Sequence, residues 1–343
     1  MVGSITGLVH YNNSITDCSA ENIVLTKTRV DGLPAIGAIS GNWVSKTNGA
    51  AYQTTITGNK VTNITMNGTC AIAEKYSTCD FSDIYGANYS GDTAKISGTV
   101  ENNVVENIVN NVVSYTPATS VEELYAAIGN SDVKEILLSS DLTVNAKDAA
   151  NPSHNPYGVG GVQVQEGGLL DGNGNTLTVT GANGTWDCGI YASSGTIQNI
   201  TVNGSFRGIF NGGLTGNLTL NNVVIDKVCY TFHIDGKEAD EYTVTFNNCT
   251  LNGWTSYSNV AKVFNFNNCN FGQGTGGYKY AFCRPYNDSV FTGCVFSVGY
   301  GFDASKTGEV TFVNCYVGNT LITQENVAEL LGSGASSIIV SNK

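Results

Sequence analysis

Apolar and polar residues alternate along most of this chain in runs too short for helices, and towards its C-terminal end one run recurs. Val-Thr-Phe-Asn-Asn-Cys-Thr-Leu at 244–251, Phe-Asn-Phe-Asn-Asn-Cys-Asn-Phe at 264–271, Val-Phe-Thr-Gly-Cys-Val-Phe at 290–296 and Val-Thr-Phe-Val-Asn-Cys-Tyr-Val at 310–317 follow one scheme. The steps are 20 residues from Cys249 to Cys269, 25 on to Cys294 and 21 on to Cys315. A recurrence of this length is one supersecondary unit per step, the signature of a stacked solenoid. Alternate side chains of a strand point to opposite faces, so an inward Phe246 sends Asn248 inward too, unless the Asn247-Asn248 pair makes the turn. Cys249 and Leu251 then point inward on the next face. Stacking lays Cys249, Cys269, Cys294 and Cys315 in one column and Phe246, Phe266, Phe291 and Phe312 in another. The sulfurs are then about one strand spacing, ~4.8 Å, apart in a regular ladder rather than in bridging geometry. Asparagine suits the bends because it tolerates the left-handed conformation, and its amide can hydrogen-bond along a ladder.

The same reading extends upstream. Residues 14–26, 55–66 and 95–109 each hold a short β-rich run that turns at a polar residue and resumes. Glycine-spaced apolar runs accompany them at 5–11 and 35–41. The pattern pauses at 114–119. Ser120 with Glu123 three residues on then makes a capping box, and Val121, Leu124, Tyr125 and Ile128 share one helical face, which predicts a helix over 121–128 ending near Gly129. Strand follows at 133–144, a strand, Gly/Asn turn and strand at 167–179, and further strands at 196–204 and 218–226. After the last cysteine repeat, 321–332 reads as a helix begun by Thr323 and stopped at Gly332, and Ser337 to Ser341 as a final strand. The two helices are expected to cover exposed strand edges at solenoid ends.

Two resemblances follow from these runs. The N-terminal pieces look like the GLUG-type repeats of bacterial surface proteins. The order Ser-Val-Glu-Glu-Leu-Tyr-Ala-Ala-Ile, Ile-Leu-Leu-Ser-Ser-Asp-Leu-Thr-Val, Leu-Leu-Asp-Gly-Asn-Gly-Asn-Thr-Leu resembles the opening of right-handed β-helix proteins of the pectate-lyase-like superfamily, especially large surface proteins of gut bacteria, over roughly residues 118–320. The expected fold is therefore all-β, a right-handed parallel β-helix with short capping helices, divided into a GLUG-like β-solenoid over 1–113 and the β-helix over 114–343. Parallel crossovers are right-handed in nearly all cases, which gives the same handedness independently.

Composition narrows the function classes. Only 13% of residues are charged, Gly numbers 41 against 5 Pro, and 28 acidic against 16 basic residues give a net charge of −12. Many tight turns between short strands suit the first pair of figures, and the acidity removes nucleic acid and anionic membrane as partners. No run of about 18 apolar residues is present, so no membrane insertion is expected. The N-terminus Met-Val-Gly-Ser-Ile-Thr-Gly lacks the basic and apolar regions of a signal peptide, so the expectation is a chain that starts at an introduced Met1 or is cut from a longer protein. Ten cysteines without a C-x-x-C pair read mostly as buried thiols that pack as small hydrophobes.

Catalytic constellations of the β-helix enzymes are missing. The paired aspartates of polygalacturonases and a lyase-like arginine are absent. The one acid-rich spot, His233 through Asp235, Glu238, Asp240 and Glu241, reads either as an acid/base or metal site or as a solvated turn, and its spacing matches no calcium loop. The glycine runs at 158–161 and 171–175 precede no helix and carry no P-loop lysine, so they read as turns. His10, His154 and His233 are far apart and paired with no cysteine spacing, and no Gly-x-Ser-x-Gly elbow occurs. No cofactor and no metal is expected. The candidate binding set is aromatic: Trp254, Tyr257, Tyr278, Tyr280 and Tyr286, with Arg284 and Asp288, placed in the longer connections of three successive repeats. Rings there would stack on sugar faces while Arg284 and Asp288 bind hydroxyls. The leading expectation is a non-enzymatic extracellular adhesion or binding module of a bacterial surface protein, with glycans or host and cell-surface proteins as partners. A polysaccharide lyase or glycosidase, and a phage tail spike or filament subunit, are the alternatives.

Overall fold

The computed structural model describes residues 2–5, 14–27, 36–39, 46–47, 50–51, 54–71, 98–234, 241–257, 261–275, 280–283, 288–299, 301–303, 308–332 and 338–342. The chain is all-β with long parallel sheets. It forms two compact units, Met1–Pro117 and Ala118–Lys343.

In the first unit the three related runs lie side by side. Strands Ser19–Lys27, Lys60–Ala71 and Val104–Ala118 pair in parallel with Ser19, Lys60 and Val104 in register. Ser14–Thr16, Thr54–Thr57 and Gly98–Glu101 form a second parallel set. Each strand of the first set bends at an asparagine in the left-handed region, Asn22, Asn63 and Asn107, with φ 57°, 55° and 55°. Their amides form a chain, Asn107 to Asn63 and Asn63 to Asn22, each at 3.0 Å. Beneath them Ile15, Leu25, Ile56, Val61, Ile64 and Met66 make a small core.

The second unit opens with α1, Val121–Gly129, where Ser120 accepts from the Glu123 N–H at 3.3 Å. The return half of the expected capping box differs. Glu123 Oε2 accepts from the Thr119 N–H and hydroxyl at 2.7 and 2.6 Å, which holds its carboxyl below the usual range, and so reaches one residue beyond the cap. Leu124, Ala127 and Ile128 enter the core, against the strands Glu135–Leu138 and Leu142–Asn145.

Those two strands begin two parallel ladders. In one, Leu170, Ile197, Leu220, Phe246, Phe266, Phe291, Phe312 and Val340 stand in register. In the other, Leu177, Val202, Ile225, Leu251, Phe271, Phe296 and Val317 do. All are buried except Val340, which is half-buried. The phenylalanines stack at 4.5 Å (Phe246–Phe266), 4.6 Å (Phe266–Phe291) and 5.2 Å (Phe291–Phe312). The Asn pair does make the turn: Asn248, Asn268 and Asn314 have φ 55°, 53° and 51°, and Gly293 takes that place with φ 63°. The residue before the turn carries the amide chain, Asn267 to Asn247 at 2.9 Å and Asn247 to Asn221 at 2.8 Å. Cys249, Cys269, Cys294 and Cys315 are free and fully buried, as the column requires. Each thiol meets a carbonyl one rung earlier, Leu220, Phe246, Phe266 and Phe291, at 3.3–3.6 Å. Burial and the neighbouring cysteines push the Cys294 thiol up from its ordinary value.

Downstream, the second helix is shorter than expected. α2 spans Val327–Leu331 with Asn326 at its N-cap, because Asn326 Oδ1 accepts the Thr323 N–H at 2.7 Å and closes a turn before the helix starts. Gly332 ends it with φ 101°. Val327 and Leu331 join the same core as α1. The last strand is Ile339–Val340.

Candidate functional site

A third parallel set, a seven-stranded sheet, runs beside the two ladders and includes strands Cys188–Tyr191, Arg207–Asn211, Tyr230–Ile234 and Trp254–Tyr257. Cys188, Arg207, Tyr230 and Trp254 are in one register, and Tyr191, Phe210, His233 and Ser256 in another. Adjacent residues separate by face: Ile190, Ile209 and Phe232 belong to the core, while Tyr191, Phe210 and His233 gather in a ring cluster outside it. Glycine precedes the isoleucine in two strands because the sheet closes on the facing ladder. A Cβ at Gly208 would lie 2.3 Å from Ile225 Cγ2 and 2.7 Å from the Thr231 carbonyl.

Arg207 sits at the centre, 2% exposed. Its guanidinium carbon lies 4.6 Å from the Trp186 ring centre, 4.9 Å from Tyr230, 5.5 Å from Phe206 and 5.7 Å from Phe210. Its Nε donates to His233 Nδ1 at 2.9 Å. Since the guanidinium N–H can only donate, His233 Nδ1 is the acceptor of this pair. Burial, with Asp187 adding to it and Arg207 opposing, pushes the neighbouring Cys188 thiol well above its ordinary value.

Two rings of the cluster open to solvent, Tyr157 at 50% and Trp186 at 38% exposure. Their centres are 6.2 Å apart with planes at 40°, and Tyr157 stands edge-on to Phe210 at 5.6 Å. Neither lies on a strand. Two buried polar side chains hold them. Asn155 Oδ1 accepts the Tyr157 N–H at 3.0 Å and its Nδ2 donates to the Trp186 carbonyl at 2.9 Å. Asp187 accepts the Val159 and Gly184 N–H groups at 3.0 and 2.8 Å. Gly212 makes room: a Cβ there would come within 2.4 Å of Tyr157 Cε2. The backbone that carries the two exposed rings is therefore tied down by these bonds.

The expected aromatic set lies elsewhere in part. Trp254, Tyr257 and Tyr280 belong to strands, not to long connections, because their segments pair with the preceding rung. Trp254 stacks on Tyr230 at 4.9 Å with planes at 15°, so one of its faces is covered. The side chains of Tyr257 and Tyr280, and Tyr278, Arg284 and Tyr286 entirely, lie outside the described residues. Asp288 begins the strand Asp288–Thr292, and its Oδ1 accepts the Glu309 N–H at 3.0 Å. Of the acid-rich spot, His233 binds Arg207, and 235–240 lie outside the described residues. Among the described residues no group of three or more His, Cys, Asp or Glu is placed to hold a metal. Likewise no helix there is long and apolar enough to cross a membrane.

Tyr157, Trp186, Arg207, Phe210 and Tyr230 escaped sequence reasoning. One signal was present, since Cys188-Gly-Ile-Tyr191 and Arg207-Gly-Ile-Phe210 repeat a Gly-Ile-aromatic run 19 residues apart. Comparison with protein-family models, with curated proteins and with solved structures finds no match.

Proposed function

We propose that the second unit is a right-handed parallel β-helix and that the chain serves as a non-enzymatic extracellular binding or adhesion module of a bacterial surface protein, with glycans as its ligands. Three parallel ladders that advance one rung every 19–35 residues support the fold, and parallel crossovers are right-handed almost without exception. The bacterial surface setting rests on the resemblance of the sequence runs. One observation carries the ligand class: Trp186 and Tyr157 are exposed rings on loop backbone that the buried Asn155 and Asp187 hold in place. Exposed apolar area of this kind fits the C–H face of a sugar, and fixing it beforehand lowers the ordering cost of binding.

A glycan array with a mucin pull-down tests the reading. The wild-type chain is expected to retain a subset of glycans, and Trp186→Ala or Tyr157→Ala to lose them while keeping its near-ultraviolet circular dichroism. An empty array, or retention unchanged in both variants, refutes the site.

A further inference from the structure

Four aromatic rings around one point usually make a receptacle for a ligand cation such as a quaternary ammonium. Here Trp186, Tyr230, Phe206 and Phe210 surround the chain's own Arg207, at 4.6–5.7 Å. We propose that Arg207 is the specificity-determining residue of this surface: it fills the cation's place, so the outer faces of Trp186 and Tyr157 accept an uncharged sugar ring and reject ammonium-bearing ligands. The inference rests on the binding reading above and names what that site takes.

The guanidinium carbon lies 4.6 Å from the centre of Trp186, which is the larger of the two exposed rings. A second cation on the outer face would share a ring whose electron density is already drawn to Arg207. His233 Nδ1 is taken up by the Arg207 Nε–H at 2.9 Å. An uncharged pyranose makes no demand on these groups, since its C–H face needs only apolar ring area at the right distance.

The test uses the full chain at neutral pH and low salt, with tryptophan fluorescence or calorimetry as readout. The methyl β-glycosides of glucose, galactose and N-acetylglucosamine are titrated against choline. At least one glycoside is expected to bind, with choline at least tenfold weaker. In Arg207→Met, whose near-ultraviolet circular dichroism reports folding, the preference for glycoside over choline is expected to shrink at least tenfold. Choline binding the wild type as well as the glycosides, or unchanged preference in folded Arg207→Met, overturns the inference and leaves glycan binding standing. Failure of every glycoside together with an empty glycan array removes the binding reading itself, and the inference with it. The wild-type comparison needs no variant, so a poorly folding Arg207→Met still leaves a decisive result.

Discussion

The phenylalanine column gives the sharpest test of how the second unit is held together, through Phe266→Leu and Phe312→Leu side by side. Leucine keeps most of the apolar volume and removes the ring, so the difference isolates ring stacking. Phe266 is sandwiched between Phe246 at 4.5 Å with planes at 13° and Phe291 at 4.6 Å with planes at 3°, and meets the edge of Phe271 at 5.5 Å. At about 1 kcal/mol per aromatic pair beyond area burial, three pairs are worth about 3 kcal/mol. Phe312 has one stacked neighbour, Phe291 at 5.2 Å and 30°, and one edge contact with Phe296 at 5.7 Å. Its looser geometry puts the loss at about 1–2 kcal/mol. A unit of this size shifts its melting point by about 2–4 °C per kcal/mol, so Phe266→Leu should melt roughly 6–12 °C lower and Phe312→Leu roughly 2–8 °C lower. Thermal and urea unfolding followed in the near ultraviolet measure both. Equal shifts, or a larger one for Phe312→Leu, would refute stacking as the source.

Gly293 stands where the other rungs carry Asn, at φ 63°, and a Cβ there would lie 2.5 Å from the movable Asn268 Oδ1. Gly293→Ala is expected to cost about 1–2 kcal/mol in urea unfolding from the left-handed backbone, and Gly293→Asn clearly less; the reverse order would contradict the turn assignment. Hydrogen bonds from the Thr119 hydroxyl and N–H hold the Glu123 carboxyl below its usual 4.5. Its contribution is therefore present above pH 4.5 and lost as pH falls through the folded value. Wild type should melt above Glu123→Gln at pH 7, and the gap should narrow as pH is lowered below 4.5; a gap that ignores pH would exclude this account.

How much was legible in the sequence follows from what each feature depends on. Phe246, Cys249 and Asn248 owe their places to contacts with the rung before and the rung after, so the fold copies its own period into the chain. Spacing therefore located the core columns and the inward cysteines, while the left-handed turn at Asn248 was one of two readings that the backbone decides. The ring cluster obeys a different logic. Tyr157 and Trp186 sit in irregular connections that have no period, and they reach Arg207 only because Asn155 and Asp187 tie those connections down. Trp254 was conspicuous in sequence, yet its register with Tyr230 gives one ring face to stacking. The second helix start was misplaced because Asn326 and Thr323 are both capable caps, and which one closes a turn on the other depends on geometry.

Along the two ladders each strand hydrogen-bonds to the strand one repeat before it and the strand one repeat after. The fold thus keeps no record of how many repeats it has. Asn247-Asn248-Cys249 and Asn267-Asn268-Cys269 are interchangeable junctions 20 residues apart, and recombination between them would delete or duplicate one full turn of chain with every remaining column in line. Such an exchange removes or adds Trp254–Tyr257 in the third sheet while leaving the Arg207 cluster's own loops intact. Length can thus vary by whole repeats while Trp186 and Tyr157 keep their own loops, with the ring stacked on Tyr230 lost or repeated.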